Sequence, residues 1–396
     1  MSPARPQTTR DHVQGNAARD LVPASRPDHR GYLATLHFGN LDGLRFICIT
    51  AVIWHHAPGK GHLSDISVLF ARGHTGVDFF FVLSGFLITT LLLREETAKG
   101  RFSLRGFYWR RFLRIIPVYY LVVSFAAFYA IIVKGYTDQL EILPYYYLFL
   151  SNFLRGEDIG FLSVTWSLSV EEQYYLLWPA LLLLVPRRWI VTVLLVLIAV
   201  NVSAAMGFFS LIGIHPLDVA HLRLRIGGAT YAPILMGSLV AILLHRRAGF
   251  AALRAVTAFP GAPWVWFAAL LAALGGFPGA LEGLPNLVVH SLMCLMLTSL
   301  VIREDTAMSP LLKLAPITRI GQISYGIYLY HLFALSFVVK VLEVSGLYSG
   351  GLVLILYFPL SILIAEISFR TFEAWFMRLR HKGPGRVNPS PPRPAE

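Results

Sequence analysis

Residues 41–59, LDGLRFICITAVIWHHAPG, form an apolar run with Arg45 near its start and His55 and His56 near its end. Arg45 and His56 are eleven positions apart. At about 100° per residue they return to nearly the same helix face, roughly 16 Å apart along the axis. Ionisable side chains are costly inside a bilayer, so they are functional candidates by default. The stretch predicts a membrane-spanning helix that carries part of a functional site.

The rest of the 396-residue chain has the composition of a membrane protein. Hydrophobic residues make up 56% and charged residues 14%, and the mean hydropathy is +0.60. Soluble domains carry roughly 25% charged residues. Because a helix needs about 20 apolar residues to cross hydrocarbon, we expect an all-α polytopic membrane protein with about ten transmembrane helices. The predicted spans are 42–58, 76–93, 115–133, 164–186, 189–208, 227–244, 263–278, 285–302, 322–342 and 351–369.

The net charge of +12 is distributed between the apolar runs. It therefore favours orientation in the membrane over nucleic-acid binding, and no nucleic-acid partner is expected. Segment 94–114 alone contains seven Lys and Arg residues. Together with the other basic loops, this bias predicts that both termini are cytoplasmic. The two cysteines, Cys48 and Cys294, lie in apolar spans and are expected to be core residues, with no metal bound.

The chain ends differ in composition from the apolar middle. Residues 1–40 are rich in Arg, Pro and Ser and are expected to be a disordered cytoplasmic tail. Residues 41–380 form the predicted transmembrane domain, and the Pro-rich residues 381–396 form a second disordered cytoplasmic tail. Segment 142–153, ILPYYYLFLSNF, is apolar but too short to span, so we expect it to be interfacial or re-entrant.

The histidines of the first span allow two interpretations. In the first, one ring touches headgroups while the other packs inward, because neighbouring side chains diverge by about 100°. In the second, which the alignment with Arg45 favours, His56 is a base or an acyl acceptor. In the next span His74 and Asp78 are one helical turn apart. Asp78 is either an acid that orients an imidazole or an acid favoured by the helix dipole.

The segment FYWRRFLRIIPVYY opens the third span with several arginines at the predicted inner boundary. Arg111 and Arg114 share a helix face, and Arg110 lies beside them with Arg105 upstream. Such residues commonly mark topology or contact anionic lipid. Interleaved with aromatic rings, they also suit a phosphate-bearing ligand whose ring can stack. Both interpretations are open from these residues alone.

The fourth span contains TWSLSVEEQYYLLWP, with the consecutive acids Glu171 and Glu172. Two acids cannot both face lipid, so they must look toward a cavity or a partner charge. A site role is favoured over a structural charge pair, with Glu172 as a candidate catalytic residue and Trp166 as a candidate pocket residue.

The ninth span contains ISYGIYLYHLF, in which Tyr325 and His331 are candidate channel residues. A histidine satisfied at a helix interface is the alternative. Several other polar residues are expected to be structural. They are Ser84 and Gly85 for helix packing, His290 without an obvious partner, and Glu366, Arg370 and Glu373 as an ion-pair ladder.

These blocks, in this order, resemble the acyltransferase 3 family of integral membrane O-acyltransferases. The matching blocks are LDGLR with its following histidine, GVDFFFVLSGFLIT, WRRFLRIIPVYY, TWSLSVEEQYYLLWP, ISYGIYLYHLF and FRTFE. Together they cover about residues 41–380. The last block often continues with Pro in the family, whereas Ala374 follows Glu373 here.

The resemblance implies acyl transfer, most commonly of acetyl, from cytoplasmic acyl-coenzyme A to a hydroxyl of an extracytoplasmic or lipid-linked glycan. It implies that the chain lies in the inner membrane of a bacterium. The family's essential arginine and histidine correspond to Arg45 and His56. The arginine pair that engages coenzyme A phosphates corresponds to Arg111 and Arg114. Acyl-coenzyme A is then a co-substrate, and no metal is implied.

A mechanism compatible with these residues has the arginine cluster hold the donor's head while the pantetheine arm reaches toward His56. His56 would remove the acceptor's proton, with Asp78 or Glu172 orienting it and Arg45 binding donor or structuring the channel. A covalent acyl-imidazole is a second route. A transporter or flippase and a non-catalytic membrane scaffold are the alternative functions.

Overall fold

A helix lies at each of the ten positions where the sequence predicts a span. The computed structural model describes residues 28–35, 37–58, 68–156, 158–224, 231–279 and 281–379. In chain order the α-helices are α1 (His29–Ala34), α2 (Asn40–His56), α3 (Val68–Ala71), α4 (Thr75–Lys99), α5 (Leu104–Ala127), α6 (Leu143–Tyr147), α7 (Thr165–Leu184), α8 (Ile190–Ala205), α9 (Phe208–Leu211), α10 (Ala232–His245), α11 (Arg247–Thr257), α12 (Ala262–Gly276), α13 (Leu284–Ile302), α14 (Ser309–Leu312), α15 (Ala315–Gln322), α16 (Ser324–Val344), α17 (Gly350–Ser368) and α18 (Ala374–Leu379).

Among the described residues, five helical segments are long and apolar enough to cross a membrane, which indicates a helical membrane protein. They are Thr75–Lys99, Leu104–Val133, Leu284–Ile302, Ser324–Val344 and Gly350–Leu379. The pair α10 and α11, bent by 108°, raises the number to six if it counts as one span. Helices α8 and α12 are apolar but shorter than 18 residues. The number of ten spans and the cytoplasmic location of the termini stay predictions.

Two of the long helices continue through turns of wider π-helix. Phe128–Val133 extends α5, and Phe369–Glu373 joins α17 to α18. Within the described part of the chain, β1 (Leu217–Val219) and β2 (Leu222–Leu224) form a small antiparallel hairpin beside the helices. Such a hairpin is too short to give a period-2 pattern that stands out in the sequence.

Segment 142–153 folds into short pieces, as its length predicts. It contains the five-residue helix α6 and a 3-10 turn at Ser151–Phe153. The Tyr119 hydroxyl donates to the carbonyl of Tyr146 at 2.8 Å, and the Tyr146 hydroxyl accepts from the Ile159 amide at 2.9 Å. These bonds fix the segment against α5 because its own helix is too short to satisfy its backbone groups.

Helices α4 and α10 pack at backbone contact. A Cβ added at Gly85 would lie 1.9 Å from the carbonyl oxygen of Ile234, and one at Gly237 would lie 2.1 Å from that of Val82. Small residues at such positions let membrane helices approach closely. The prediction that Gly85 serves helix packing is confirmed.

The amino-terminal segment contains a short helix where the sequence predicts a disordered tail. The Arg94 guanidinium donates to the carbonyls of Tyr32 and Thr35 at the end of α1, and it lies 4.9 Å from the ring centroid of Phe38. One arginine thus adds side-chain donors to two carbonyls at the end of this six-residue helix. The remainder of both predicted tails, residues 1–27 and 381–396, lies outside the described residues.

Candidate functional site

His56, at the end of α2, meets His331 of α16. Nδ1 of His56 lies 3.4 Å from Nε2 of His331, and the ring centroids are 4.9 Å apart. Nδ1 of His56 also lies 3.0 Å from the carbonyl oxygen of Val52, one turn earlier. His331 is fully buried. The structure therefore brings together two predicted site residues that lie 275 positions apart in the sequence.

His331 is held by its own helix and by α7. Its Nδ1 lies 2.7 Å from the carbonyl oxygen of Tyr328. The Tyr328 hydroxyl bonds to the Val164 carbonyl at 2.9 Å and to the Ser167 hydroxyl at 2.7 Å. These bonds link α16 to the start of α7, so the imidazole has a fixed backbone beneath it.

A residue that the sequence analysis missed anchors α2 next to His56. Tyr357 of α17 is fully buried, and its hydroxyl donates to the carbonyl of Ile53. Its signal in the sequence is a lone tyrosine within the apolar run GGLVLILYFPLSILI, since a buried hydroxyl needs a partner.

Arg45 lies in α2 with His56, and the two residues are near opposite ends of the helix, as predicted. Its Nη1 donates to Oδ1 of Asp42 at 2.7 Å, and the other carboxylate oxygen accepts from Nε2 of Gln322 at 3.2 Å. A Cβ on Gly321 would lie 1.8 Å from the Asp42 carbonyl oxygen. Helix α15 therefore packs directly on the turn that carries Arg45 and fixes its ion pair.

Glu171 of α7 forms the centre of a second polar cluster. Its two carboxylate oxygens accept from the Ser84 hydroxyl at 2.7 Å and the Tyr175 hydroxyl at 3.1 Å. The oxygens of the Tyr175 and Ser84 hydroxyls are also 2.9 Å apart. Ser84, predicted to serve helix packing, instead connects α4 to this carboxylate. Arg111 and Arg114 interact electrostatically with Glu171.

Glu172 lies beside this cluster with a buried oxygen. No described residue donates a hydrogen bond to its Oε1. Its carboxylate interacts electrostatically with Glu171 and Arg111. The prediction that the two acids face partner charges instead of lipid therefore fits the structure.

The predicted arginine cluster divides into two sets. The Arg111 guanidinium lies 4.8 Å from the ring centroid of Tyr175, and Arg114 interacts with Glu171 and Glu373. Arg110 turns to the end of α4, where it pairs with Glu95 at 3.2 Å.

Arg105 is exposed at the start of α5. The spacing of three residues correctly places Arg111 and Arg114 on one face. Arg110, their neighbour in sequence, faces elsewhere.

Asp78 contacts His290 of α13, with Oδ2 of Asp78 3.5 Å from Nε2 of His290. His290 is buried, as its interpretation as a packing residue predicts, and Asp78 is the charged group beside its Nε2. The ring of His74 lies 5.4 Å from that of His55. The spacing of His74 and Asp78 predicts contact only if both residues lie within one helix. His74 instead precedes α4, and the Asp78 carboxylate turns to α13.

The remaining channel candidates take separate positions. The Trp166 ring is 37% exposed and packs edge-on against Phe81 at 6.1 Å. The Tyr325 hydroxyl donates to the Ile115 carbonyl at 3.2 Å, which ties α16 to α5. Neither contact requires a ligand.

A polar network in the middle of α7 is centred on Gln173, the residue that follows the two acids. Nε2 of Gln173 donates to the Phe149 carbonyl at 2.7 Å and to Oδ1 of Asn152 at 2.9 Å. The Asn152 amide in turn donates to the Tyr231 hydroxyl at 3.2 Å. Segment 142–153, α7 and α10 are thereby joined by side chains whose proximity no local pattern indicates.

The predicted ion-pair ladder is partly correct. Glu366 pairs with Arg370 and accepts two bonds of 2.9 Å from Arg319. Glu373 instead accepts from the Ser368 hydroxyl at 3.3 Å and faces Arg114. A π-helical turn across 369–373 changes the angle between Arg370 and Glu373, which a straight helix would align.

Cys48 and Cys294 are both buried free thiols, as predicted. Within the ranges that the structure describes, no group of three or more His, Cys, Asp and Glu side chains is placed to hold a metal ion.

Comparison with known proteins covers nearly the whole membrane part of the chain. Residues 38–369 match the sequence model of a family described as an acyltransferase domain. The peptidoglycan O-acetyltransferase OatA of Listeria monocytogenes is 28% identical over 362 residues, which is 84% of this chain and 55% of that protein. A putative O-acetyltransferase of Staphylococcus aureus is 25% identical over 382 residues, 88% of this chain and 58% of the other.

An uncharacterized protein of Haemophilus influenzae is 32% identical over 185 residues, which is 42% of this chain and 74% of that protein. The chain thus spans a little over half the length of the two O-acetyltransferases it resembles. No solved structure matches it.

Proposed function

Because the chain belongs to the acyltransferase 3 family, we propose that it is a membrane O-acyltransferase that moves an acetyl group from acetyl-coenzyme A to a glycan hydroxyl. The family match over residues 38–369 carries this proposal. Similarity to two O-acetyltransferases along 84% and 88% of this chain supports acetyl as the group transferred. The name of the Listeria relative, a peptidoglycan O-acetyltransferase, supports a glycan acceptor. The proposed location of the enzyme is the bacterial cytoplasmic membrane, with the acceptor hydroxyl on its outer side.

The donor side of the proposed site is the arginine cluster of α5. Coenzyme A carries phosphates that cannot cross the membrane, and guanidinium groups bind phosphate oxygens in pairs. Arg111 and Arg114 share one face, and aromatic rings flank Arg111. Arg105 adds positive charge at the start of the same helix, and Arg110, which pairs with Glu95, is assigned to the edge of the cluster. Arg45 is assigned to the channel, where its ion pair with Asp42 fixes the first turns of α2.

The chemical step is assigned to His56. Its imidazole takes the proton of the acceptor hydroxyl while the hydroxyl oxygen attacks the thioester carbonyl. The oxygen–carbon bond forms, the carbon–sulfur bond breaks, and the proton passes from His56 to the leaving thiolate. An acyl-imidazole on His56 is the second route, and parallel lines in initial-rate kinetics would favour it over a ternary complex.

Asp78 and Glu172 are assigned supporting roles. Asp78 contacts His290, so it belongs to a carboxylate–histidine pair that is separate from the His56–His331 contact. Glu172 lies among the charges of Glu171 and Arg111, which supports a place on the donor side. Trp166 and Tyr325 are assigned to the walls of the path between the donor side and His56.

Acetyl-coenzyme A consumption by the purified protein, with a glycan acceptor present, tests the proposal. We expect His56→Ala to lower acetyl transfer on the order of 100-fold or more, because positioned proton transfer contributes about that much. His221→Ala is the matched control, since His221 pairs with Glu141 elsewhere in the fold. Full acetylation by His56→Ala would remove His56 from the mechanism. Glycan transport without donor consumption would favour a flippase.

A further inference from the structure

The hydrogen-bond partners of His331 determine which of its nitrogens carries the proton. Nδ1 lies 2.7 Å from the Tyr328 carbonyl oxygen, and a carbonyl can only accept. Nδ1 is therefore the N–H of the neutral ring, and Nε2 carries the lone pair. That lone pair is directed at His56, 3.4 Å away.

The same reasoning determines the tautomer of His56. Its Nδ1 lies between two acceptors, the Val52 carbonyl oxygen at 3.0 Å and Nε2 of His331 at 3.4 Å. A lone pair at this position would face two others, so Nδ1 carries the proton. The lone pair of neutral His56 is then on Nε2, the nitrogen that makes neither of these two contacts.

We propose that His331 is a positioning residue that fixes the tautomer of His56 and stabilises its protonated form. This inference rests on the proposed function of His56 as the base. When Nε2 takes the acceptor's proton, both nitrogens of His56 carry hydrogen, and the charge is shared with the acceptors at Nδ1. Carboxylates do this work in Ser-His-Asp triads. His331 supplies a neutral acceptor in its place.

Burial explains why a neutral acceptor suits this position. His331 is fully buried in a membrane helix, where an unpaired carboxylate would be costly to desolvate. A neutral imidazole needs its N–H satisfied, which the Tyr328 carbonyl does. The ring then presents an acceptor without a permanent charge.

Other titratable groups surround the pair on several helices. The His55 ring lies 5.0 Å from that of His56, and His74 lies beyond it. The Tyr328 ring lies 5.7 Å from that of His331. The Asp78–His290 pair joins α4 to α13, and the Tyr357 hydroxyl from α17 meets the Ile53 carbonyl. A pH profile must therefore be read against variants of His331 itself.

His331→Leu and His331→Gln test the inference kinetically. We expect His331→Leu to lower kcat on the order of 10- to 100-fold, with KM for acetyl-coenzyme A changed less than about twofold. The acid limb of its pH–rate profile should move to lower pH, because protonated His56 loses an acceptor. His331→Gln keeps an acceptor oxygen and should recover most of kcat. Tyr330→Phe, on the same helix as His331, loses a bond to Ser368 of α17 and is the control.

Nitrogen NMR of histidine-labelled protein gives a readout independent of activity. We expect His56, assigned by its loss in His56→Ala, to carry its proton on Nδ1 in the parent protein and to become a mixture of tautomers in His331→Leu. A parent His56 protonated on Nε2 overturns the inference, even if His331→Leu does not fold. The inference is also overturned if folded His331→Leu keeps the parent pH–rate profile and the parent tautomer of His56. Absence of acetyl transfer in the parent protein instead rejects the proposed function.

Discussion

At the scale of single residues, a buried imidazole is useful as a base only if its lone pair points at the reactant. In this protein two carbonyls, those of Val52 and Tyr328, set the proton positions of His56 and His331. Neither carbonyl is recognisable in the sequence, because any residue type provides one. The sequence identifies the imidazoles but not the bonds that orient them.

Arg111→Ala is predicted to raise the KM for acetyl-coenzyme A by roughly 10- to 150-fold. One charge-assisted hydrogen bond to phosphate contributes roughly 1.5–3 kcal/mol, and 1.4 kcal/mol is a factor of ten. Steady-state kinetics at varied donor concentration measure the change. The KM of Arg111→Lys should lie between those of the parent protein and Arg111→Ala, since lysine keeps the charge but not the paired donors.

Arg188→Ala is the matched control for this measurement, because Arg188 is an exposed arginine after α7. Thermal unfolding in detergent should separate loss of binding from loss of the contacts between Arg111, Tyr175 and Glu171. A KM for Arg111→Ala equal to that of Arg188→Ala would contradict a donor role for the cluster.

At the scale of helices, the end of α2 depends on a neighbour. The Tyr357 hydroxyl holds the Ile53 carbonyl, three residues before His56. Tyr357→Phe should lower the free energy of unfolding by about 0.5–1.5 kcal/mol. It should also lower kcat more than KM, because the base loses its fixed position.

Thermal unfolding and steady-state kinetics on the same detergent sample measure both effects. Tyr330→Phe again provides the control, since it removes a hydroxyl contact that lies between α16 and Ser368. If Tyr357→Phe changes stability but leaves kcat at the parent value, the hydroxyl holds the fold without positioning His56.

Gly85→Ala should disrupt the contact between α4 and α10. The added methyl would lie 1.9 Å from the Ile234 carbonyl oxygen, so the helices must separate. We expect a loss of about 1–3 kcal/mol in the free energy of unfolding. Gly275→Ala on α12, where nothing lies within 4 Å, should be neutral. Equal melting temperatures for the two variants would show that the close contact is dispensable.

Helix positions were the most predictable level of the fold, because each follows from an apolar run in the chain itself. The ends were less so: α5 begins at Leu104, well before the predicted residue 115, because Ser103 caps it. Pairings between helices were not predictable. His331 and His56, or Asp78 and His290, meet only because helices far apart in sequence pack together. A single sequence contains no register for that packing.

At the scale of the whole molecule, the number of crossings decides where the termini lie. Ten or six crossings return both termini to one side of the membrane, whereas five place them on opposite sides. The distribution of Lys and Arg favours two cytoplasmic termini. We therefore predict that a cysteine tag at either terminus is labelled only when the reagent reaches the cytoplasmic side.

Impermeant cysteine reagents on intact cells and on inverted vesicles measure this directly, because Cys48 and Cys294 are both buried. A cysteine introduced at Arg188, predicted to be cytoplasmic, calibrates the inner side. Labelling of one terminus in intact cells would contradict the predicted topology and favour an odd number of crossings.

The backbone contact at Gly85 and Gly237 also limits how this protein can move. Two helices that touch through main-chain atoms have no side chains to re-pack, so they behave as a single rigid wall. Any widening that lets a bulky donor enter or a product leave must therefore fall to segments joined by side chains. The hydroxyl of Tyr325 joins α16 to α5 and that of Tyr357 joins α17 to α2, so these helices are held by side chains and not by backbone contact.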